Sequence, residues 1–390
     1  MRIVYCGCFR LPNFDAAAPR VLNNACAMKQ CGHHVSFISW GGEYREDDIN
    51  DNGKYMINGM EYTITGELDF IGLAGKVRGR FTKGRKTLKL LKQMQEKPDL
   101  IIMYNADRWF TRMIIRFCRT NNIKLANDIT EWYDSNELHF PDILPNYINM
   151  TYTQHKVQNK IVISSFLDKY YSESNNILIP PLCDPNEPKW ATDVVYERVK
   201  PFDGVTLIYA GNPVKKDCIH SVVNAVNTLA NEGESIRFLI LGSTRESYMK
   251  TNLHTLVNTT LHENVLFLGR VSQNLIPAYY KKADFMLLFR EPNRKSMAGF
   301  PTKFAESMTA GVPVITNATS DLSKYVINGK TGFLIEGYDY EKILSILKKK
   351  VLKLHKLDIK VMKENVKSSN KDFDWHNYID KFREFIEKLR

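Results

Sequence analysis

Residues Ala298 to Gly311 read AGFPTKFAESMTAG, and Val312 to Thr316 continue as VPVIT. Proline suits the first turn of a helix, because its missing N–H has no partner there anyway and its φ is already helical. Glycine suits the place just past a helix end, where the chain turns left-handed. Pro301 and Gly311 therefore bracket a helix of roughly ten residues. VPVIT is a short apolar run, as expected of a strand buried on both faces. Loop, helix and parallel strand in that order make an α/β unit. The free N–H groups of the helix start then point at whatever lies above the sheet. A single glutamate, Glu306, stands in the middle of this helix.

The same rhythm runs through the chain. In the second half VTLIYAG, RFLILG, NVLFLG and DFMLLF precede VPVIT, each separated by a helical pattern. In the first half RIVYCGC, HVSFISW, DLIIMY, KLANDI, KIVISS and NILIPP read as strands, with helices from Ala16 to Cys31 and from about Arg108 to Asn121. Alternating strands and helices predict parallel sheets covered by helices. At 390 residues two such domains are expected. Residues 184–201 are rich in proline and charge and read as an exposed linker between a domain at 1–183 and another at 202–373. An amphipathic helix near 374–390 is expected to pack back on the first domain. The fold class is thus α/β with two Rossmann-like, doubly wound domains, and a ligand cleft is expected outside the carboxyl ends of their strands. Gly211, Gly242, Gly269 and the Phe289–Arg290 pair all fall at strand ends.

Composition narrows the function. Hydrophobic residues make up 44% and charged residues 25%, ordinary for a globular chain. No apolar run reaches about 18 residues, so no membrane-spanning helix is expected. The opening MRIVYCGCF is a strand and not a leader, since its apolar run is short and meets Arg10 and Pro12. Seven cysteines without CxxC spacing read as reduced thiols in a cytoplasmic protein, with no metal site. No GxGxxG follows the first strand and no GxxxxGK[ST] occurs, which argues against a nicotinamide enzyme or a P-loop NTPase. The net charge of +11 is concentrated between Lys76 and Lys92, where Lys76, Arg78, Arg80, Lys83, Arg85, Lys86, Lys89 and Lys92 meet no acidic residue. This is either a solvated helix face or a surface for anions, such as phospholipid headgroups. Phe81 alone interleaves it, too few aromatics for nucleic acid.

The order YAGNPVKKD, FLGRVSQNLIPAYYKKADFMLLFRE, AGFPTKFAESMTAGVPVIT and VINGKTGFLI resembles the C-terminal half of GT-B glycosyltransferases of family 4. NFDAAAPRVLNNACAMKQCGHHVSFISW is similar to the N-terminal loop, helix and strand of that family, so the resemblance spans essentially the whole chain. It implies a retaining glycosyltransferase that moves a sugar from a nucleoside-diphosphate sugar, UDP- or GDP-linked, to a hydroxyl of a glycan or lipid-linked acceptor. It implies no cofactor and no catalytic metal.

The resemblance also implies roles. Lys216, beside Lys215, matches the phosphate-binding lysine of the family, unless the two are a solvated loop pair. An arginine usually follows the strand glycine Gly211; here the place holds Asn212, and Arg290 is the nominee for the missing charge, or an ion-pair partner of Glu291 or Asp284. Arg270 is a weaker donor-side candidate. Pro301, Thr302 and Lys303 sit at the helix start, where dipole and N–H groups favour phosphate. Glu306 is placed to accept the two hydrogens of the ribose diol. The family's first motif glutamate is replaced by Ala298, which leaves the backbone N–H groups of Gly299 and Phe300 to hold the sugar and leaves the donor sugar unread. On the acceptor or diphosphate side stand Ala17 and Ala18, small residues at a helix start, with Arg20 either reaching the diphosphate or packing locally. Asp128 and Glu131 either position and deprotonate the acceptor hydroxyl or cap a turn, and Asn105 is similarly placed. Two alternatives remain: a nucleotide-sugar 2-epimerase of the same fold, which would need more carboxylates and histidines in the cleft than the sequence places there, and a binding protein that has lost transfer, which Ala298 motivates.

Overall fold

The computed structural model describes residues 1–12, 15–68, 79, 82–135, 138, 142–192, 199–213, 215–252, 255–257 and 260–389. The chain divides into two compact units, one of Met1–Cys183, Ala298–Phe300 and Trp375–Arg390, the other of Asp184–Met297 and Pro301–Asp374.

The first unit carries strands β1 (Arg2–Leu11), β2 (His34–Gly42), β3 (Met56–Ile57), β4 (Met60–Ile64), β5 (Leu100–Tyr104), β6 (Lys124–Ile129), β7 (Asn159–Val162) and β8 (Asn175–Leu178). They form one sheet in the order β3-β4-β2-β1-β5-β6-β7-β8. All neighbours run parallel except the β3–β4 pair. Side chains alternate across a strand, so the central β1 feeds two cores. Ile3, Tyr5 and Phe9 meet Val21, Ala25 and Met28 of helix Ala17–Gln30 on one face. Val4 and Cys6 meet Phe110 and Ile114 of helix Arg108–Asn121 on the other. The β3–β4 hairpin has no counterpart among the predicted strands, although its Asn58–Gly59 turn, with φ of 50° and 67°, is the dipeptide that favours such hairpins.

The tail joins this unit. A 3-10 turn, Trp375–Tyr378, leads into helix Ile379–Glu387, which buries Phe382, Phe385 and Ile386 in the first core. Three large apolar side chains removed from water contribute roughly 5–8 kcal/mol at most, enough to hold a short helix that has little stability alone.

The second unit carries β9 (Val205–Ala210), β10 (Ile236–Leu241), β11 (Val265–Gly269), β12 (Phe285–Leu288), β13 (Val314–Asn317) and β14 (Gly332–Ile335). The sheet order is β11-β10-β9-β12-β13-β14, all parallel. β9, β10, β12 and β13 are buried along their whole length, as expected of strands covered on both faces. β14 is an additional strand that the hydrophobic pattern did not mark. The stretch expected as an exposed linker is in part folded. Pro188–Ala191 is a helical turn that buries Trp190 and packs on helix Ile276–Lys282; residues 193–198 lie outside the described set. Both units are α/β domains built on parallel sheets.

Candidate functional site

Three strand ends in the second unit are stitched together by backbone hydrogen bonds. Gly211 N–H donates to Leu241 C=O at 2.9 Å, Gly242 N–H to Gly269 C=O at 2.7 Å, and Gly269 N–H to Ser243 C=O at 3.0 Å. A Cβ on Gly242 would lie 2.5 Å from the Gly211 carbonyl, and one on Gly211 would lie 2.3 Å from Lys303 Cε. Glycine is required here because the next residues must pass directly over the strand ends.

Beneath that crossing lies a buried charge cluster. Helix Thr302–Thr309 starts after Pro301, which occupies the capping position in extended geometry and not the first helical turn. No side chain caps this start and no acidic residue stands in its first turn. Lys303 stands there instead, against the dipole. Its ammonium donates to Asp217 Oδ2 at 2.5 Å and to the Tyr209 hydroxyl at 2.9 Å. Arg290 Nε donates to Asp217 Oδ1 at 2.9 Å, and the Tyr209 hydroxyl donates to Asp217 Oδ2 at 2.5 Å. Burial by itself would raise the Asp217 carboxyl, but Lys303 and Arg290 together hold it well below the usual carboxylate range. Burial lowers the Lys303 ammonium and outweighs Asp217, which acts the other way. Burial, then Asp217, pushes the Tyr209 phenol well up, so it remains a donor.

The charges do not cancel. Two cations face one carboxylate in a region where Lys303 and Arg290 side chains are 17% and 11% exposed and Asp217 is fully buried. Among the described residues Arg290 spends only Nε on a side-chain partner, so its two terminal nitrogens are available for an anion. Its backbone is fixed by a reciprocal pair with Asn317: Arg290 N–H to Oδ1 at 3.0 Å, and Asn317 Nδ2 to the Arg290 carbonyl at 2.7 Å. Among the described residues Arg290 pairs with Asp217 and with neither Glu291 nor Asp284. Lys216 is exposed and close enough to act electrostatically on Lys303, which adds a third cation. Asn212 is exposed in the turn after Gly211, and the Lys215 side chain lies outside what the structure describes. Arg270 is exposed after β11, two strands over from β9, roughly 10 Å at ordinary strand spacing.

Glu306 follows Lys303 by three residues and shares its helix face. It is half-buried, and among the described residues no donor reaches its carboxylate. Burial raises it, while Lys189 and Lys303 pull it back in part. A desolvated carboxylate without a partner, one turn from a surplus of positive charge, has acceptor capacity to offer a ligand. Gly311 has φ of 74°, and its N–H closes the helix onto the Met308 carbonyl at 3.0 Å. Asp217 and Tyr209 were not singled out from the sequence, because their partners lie up to 94 residues away along the chain.

Ala298, Gly299 and Phe300 group with the first unit, where Ser164 Oγ donates to the Ala298 carbonyl at 2.6 Å. In that unit several expected site residues are committed elsewhere. Arg20 and Asp128 form a buried pair at 2.8 Å, 2% and 0% exposed. Arg20 also donates to the Ile179 carbonyl at 2.9 Å, and Tyr5 donates its hydroxyl to Asp128. Arg20 therefore packs locally, as one of its two expected roles had it, and it and Asp128 neutralise each other inside the core. The N–H groups of Ala17 and Ala18 are taken by Asp15 Oδ1 at 3.1 and 3.0 Å, so they do not offer a free anion cradle. Asn105, with φ of 43°, ties β5 to β6 by donating to Thr130 Oγ1 at 2.6 Å and accepting from Thr130 N–H at 2.9 Å. Glu131 accepts from the Tyr133 hydroxyl and is half-exposed.

Residues 197–367 match the family model described as glycosyl transferases group 1. The chain is 26% identical over 147 residues to the capsular polysaccharide biosynthesis glycosyltransferase CapM of Staphylococcus aureus. That alignment takes in 38% of this chain and 37% of CapM, so the match spans about a third of this relative's length. Among solved structures, sucrose-phosphate synthase of Thermosynechococcus elongatus superposes with a TM-score of 0.74 at 16% identity, covering 99% of this chain and 98% of that one. HepE of Anabaena, in complex with UDP and glucose, superposes with a TM-score of 0.69 at 13% identity over 100% of both chains. The chain therefore has the GT-B fold, and its residues 197–367 are similar to the glycosyl transferases group 1.

Proposed function

We propose that the protein is a retaining glycosyltransferase of polysaccharide or glycoconjugate assembly. It takes a sugar from a nucleoside-diphosphate donor and passes it to a hydroxyl of a glycan or lipid-linked acceptor. The observation that carries this reading is the net-positive cluster of Lys303 and Arg290 around Asp217, with Lys216 beside it and the unpartnered Glu306 one turn away. A diphosphate supplies the missing negative charge, and a ribose diol donates to Glu306. As the bond from the anomeric carbon to the diphosphate oxygen breaks, negative charge grows on that oxygen. Fixed cations are worth most where charge develops, so Lys303, Arg290, Lys216 and the helix start stabilise departure. The departing diphosphate accepts the acceptor's proton while the acceptor oxygen bonds to carbon on the same face, so no protein nucleophile is required.

CapM is named for capsular polysaccharide biosynthesis and HepE was solved with UDP-glucose, which makes UDP-glucose the first donor to try. Action at the cytoplasmic face of a membrane, through the basic run from Lys76 to Lys92, fits a lipid-linked acceptor. Lys76, Arg78 and Arg80 of that run lie outside the described residues.

The test is a thermal-shift panel of UDP, GDP, ADP and CMP with and without sugars, followed by turnover of the donor that binds. At a hundredfold its dissociation constant a ligand adds about 2.7 kcal/mol to native stability. One diphosphate should stabilise the wild type, and Glu306→Ala and Lys216→Ala should each cut transfer while the fold survives. Unchanged turnover in both variants sinks the assignment. Binding without product points to a binding protein, and epimer formed without acceptor points to the 2-epimerase.

A further inference from the structure

The first unit exposes large apolar side chains where a monomer in water has no use for them. Helix Ile143–Ile148 and the wide turn Asn149–Thr153 that follows present Ile143, Leu144, Tyr147 and Tyr152 at 36%, 64%, 54% and 61% exposure. Helix Arg108–Asn121 packs beside them and presents Trp109 at 45% exposure. The two segments are held in register by Asn149, whose Nδ2 donates to the Ala106 carbonyl at 2.9 Å. Arg112 joins them electrostatically, since it acts both on the Tyr152 phenol and, at 5.9 Å, on the Trp109 ring. Beyond Trp109 the exposed stripe of the longer helix continues as Arg112, Arg116 and Arg119, at helical spacing, and the helix contains no acidic residue. Lys156 sits over the Tyr152 ring at 4.2 Å.

Apolar tips beside aromatic rings, backed by cations that face no acid on their own helix, match the layers of a bilayer surface: acyl chains, the interfacial belt, then anionic headgroups. We propose that this face, from Ile143 to Tyr152 with the Trp109–Arg119 stripe, lays the first unit on an anionic membrane. Ile143, Leu144 and Tyr147 enter the headgroup boundary, and Arg112, Arg116 and Arg119 meet lipid phosphates. The proposal refines the membrane contact suggested above by naming a surface distinct from the Lys76–Lys92 run. It stands apart from sugar transfer because vesicle binding needs no donor.

The experiment is co-sedimentation of the full chain with phosphatidylcholine vesicles containing about a third phosphatidylglycerol, against pure phosphatidylcholine, without nucleotide. Binding is expected to the anionic vesicles only. Replacing Arg112, Arg116 and Arg119 with serine should weaken partitioning on the order of a hundredfold at low salt, since each cation contributes about a factor of five. Leu144→Ser with Tyr147→Ser should cost roughly tenfold and leave a residue of binding that salt removes. The Trp109 emission should shift to the blue on vesicles, by comparison with Trp109→Phe. Retention of the nucleotide-induced thermal shift in each variant shows that the fold is intact. Failure of that shift in the wild type refutes the donor reading and leaves this one standing. Equal binding to neutral vesicles overturns the proposal. So does binding untouched by both sets of substitutions yet lost on Lys83→Ser with Lys89→Ser, or tighter binding of a single-stranded oligonucleotide than of vesicles.

Discussion

Replacing Asp217 with asparagine tests the charge cluster directly. The carboxylate is fully buried, and it compensates Lys303 and Arg290, whose side chains are 17% and 11% exposed. Asparagine keeps the volume and removes the charge, so two cations then share a poorly solvated space. Removing one partner of a buried ion pair costs about 3–5 kcal/mol, most of it from the stranded opposite charge. For a domain of this size, roughly 2–4 °C of melting temperature accompanies each kcal/mol, so the ligand-free protein should melt about 6–20 °C lower. The nucleotide response should move the other way. A bound diphosphate supplies the counter-charge that asparagine lacks, so the shift at fixed UDP or GDP concentration should exceed that of the wild type. The acid limb adds a sign. The folded Asp217 carboxyl titrates below the ordinary value of 3.8, so its stabilisation is present above that value and fades as pH falls below it. Asp217→Asn should lack that part of the acid loss. Differential scanning fluorimetry from pH 3 to 8, with and without nucleotide, reads all three. A ligand-free loss under about 1 kcal/mol, or a smaller nucleotide shift than wild type, refutes the reasoning.

Gly242→Ala should damage the fold more than Gly211→Ala, because its Cβ meets backbone 2.5 Å away whereas that of Gly211 meets the movable end of Lys303; expression and melting temperature rank them, and Gly211→Ala should show its larger loss in nucleotide affinity. Asp128→Asn should cost about 3–5 kcal/mol by stranding Arg20, with turnover per folded molecule kept; lost turnover at unchanged stability would return Asp128 to the chemistry. Lys160 is fully buried and burial lowers it to about 8. Between that value and 10.5 the unfolded chain binds the extra proton, so Lys160 makes stability rise with pH by about 3 kcal/mol across the window. Lys160→Met should flatten this rise in urea titrations between pH 7.5 and 10.

By itself the sequence determined the two α/β domains. Hydrophobic runs of five or six residues such as VTLIYA and RFLIL are separated by amphipathic segments, and that pattern depends only on local periodicity. It also determined the helix of Thr302–Thr309, since the Pro301 and Gly311 that bracket it are local signals, even though Pro301 stands one residue outside. Lys303 and Glu306 could be named from that helix start. What they touch could not. Only the tertiary structure decided that Asp217 balances Lys303 and Arg290, across 86 and 73 residues of chain. Only it decided that Arg20 and Asp128, 108 residues apart, cancel each other in a core. It alone showed Trp109, Leu144 and Tyr147 facing water, because a sequence shows that a residue is apolar and not whether anything covers it. Local pattern fixes where an element begins and which face is apolar. A charge finds its partner, and an apolar face its cover, only when distant segments come together.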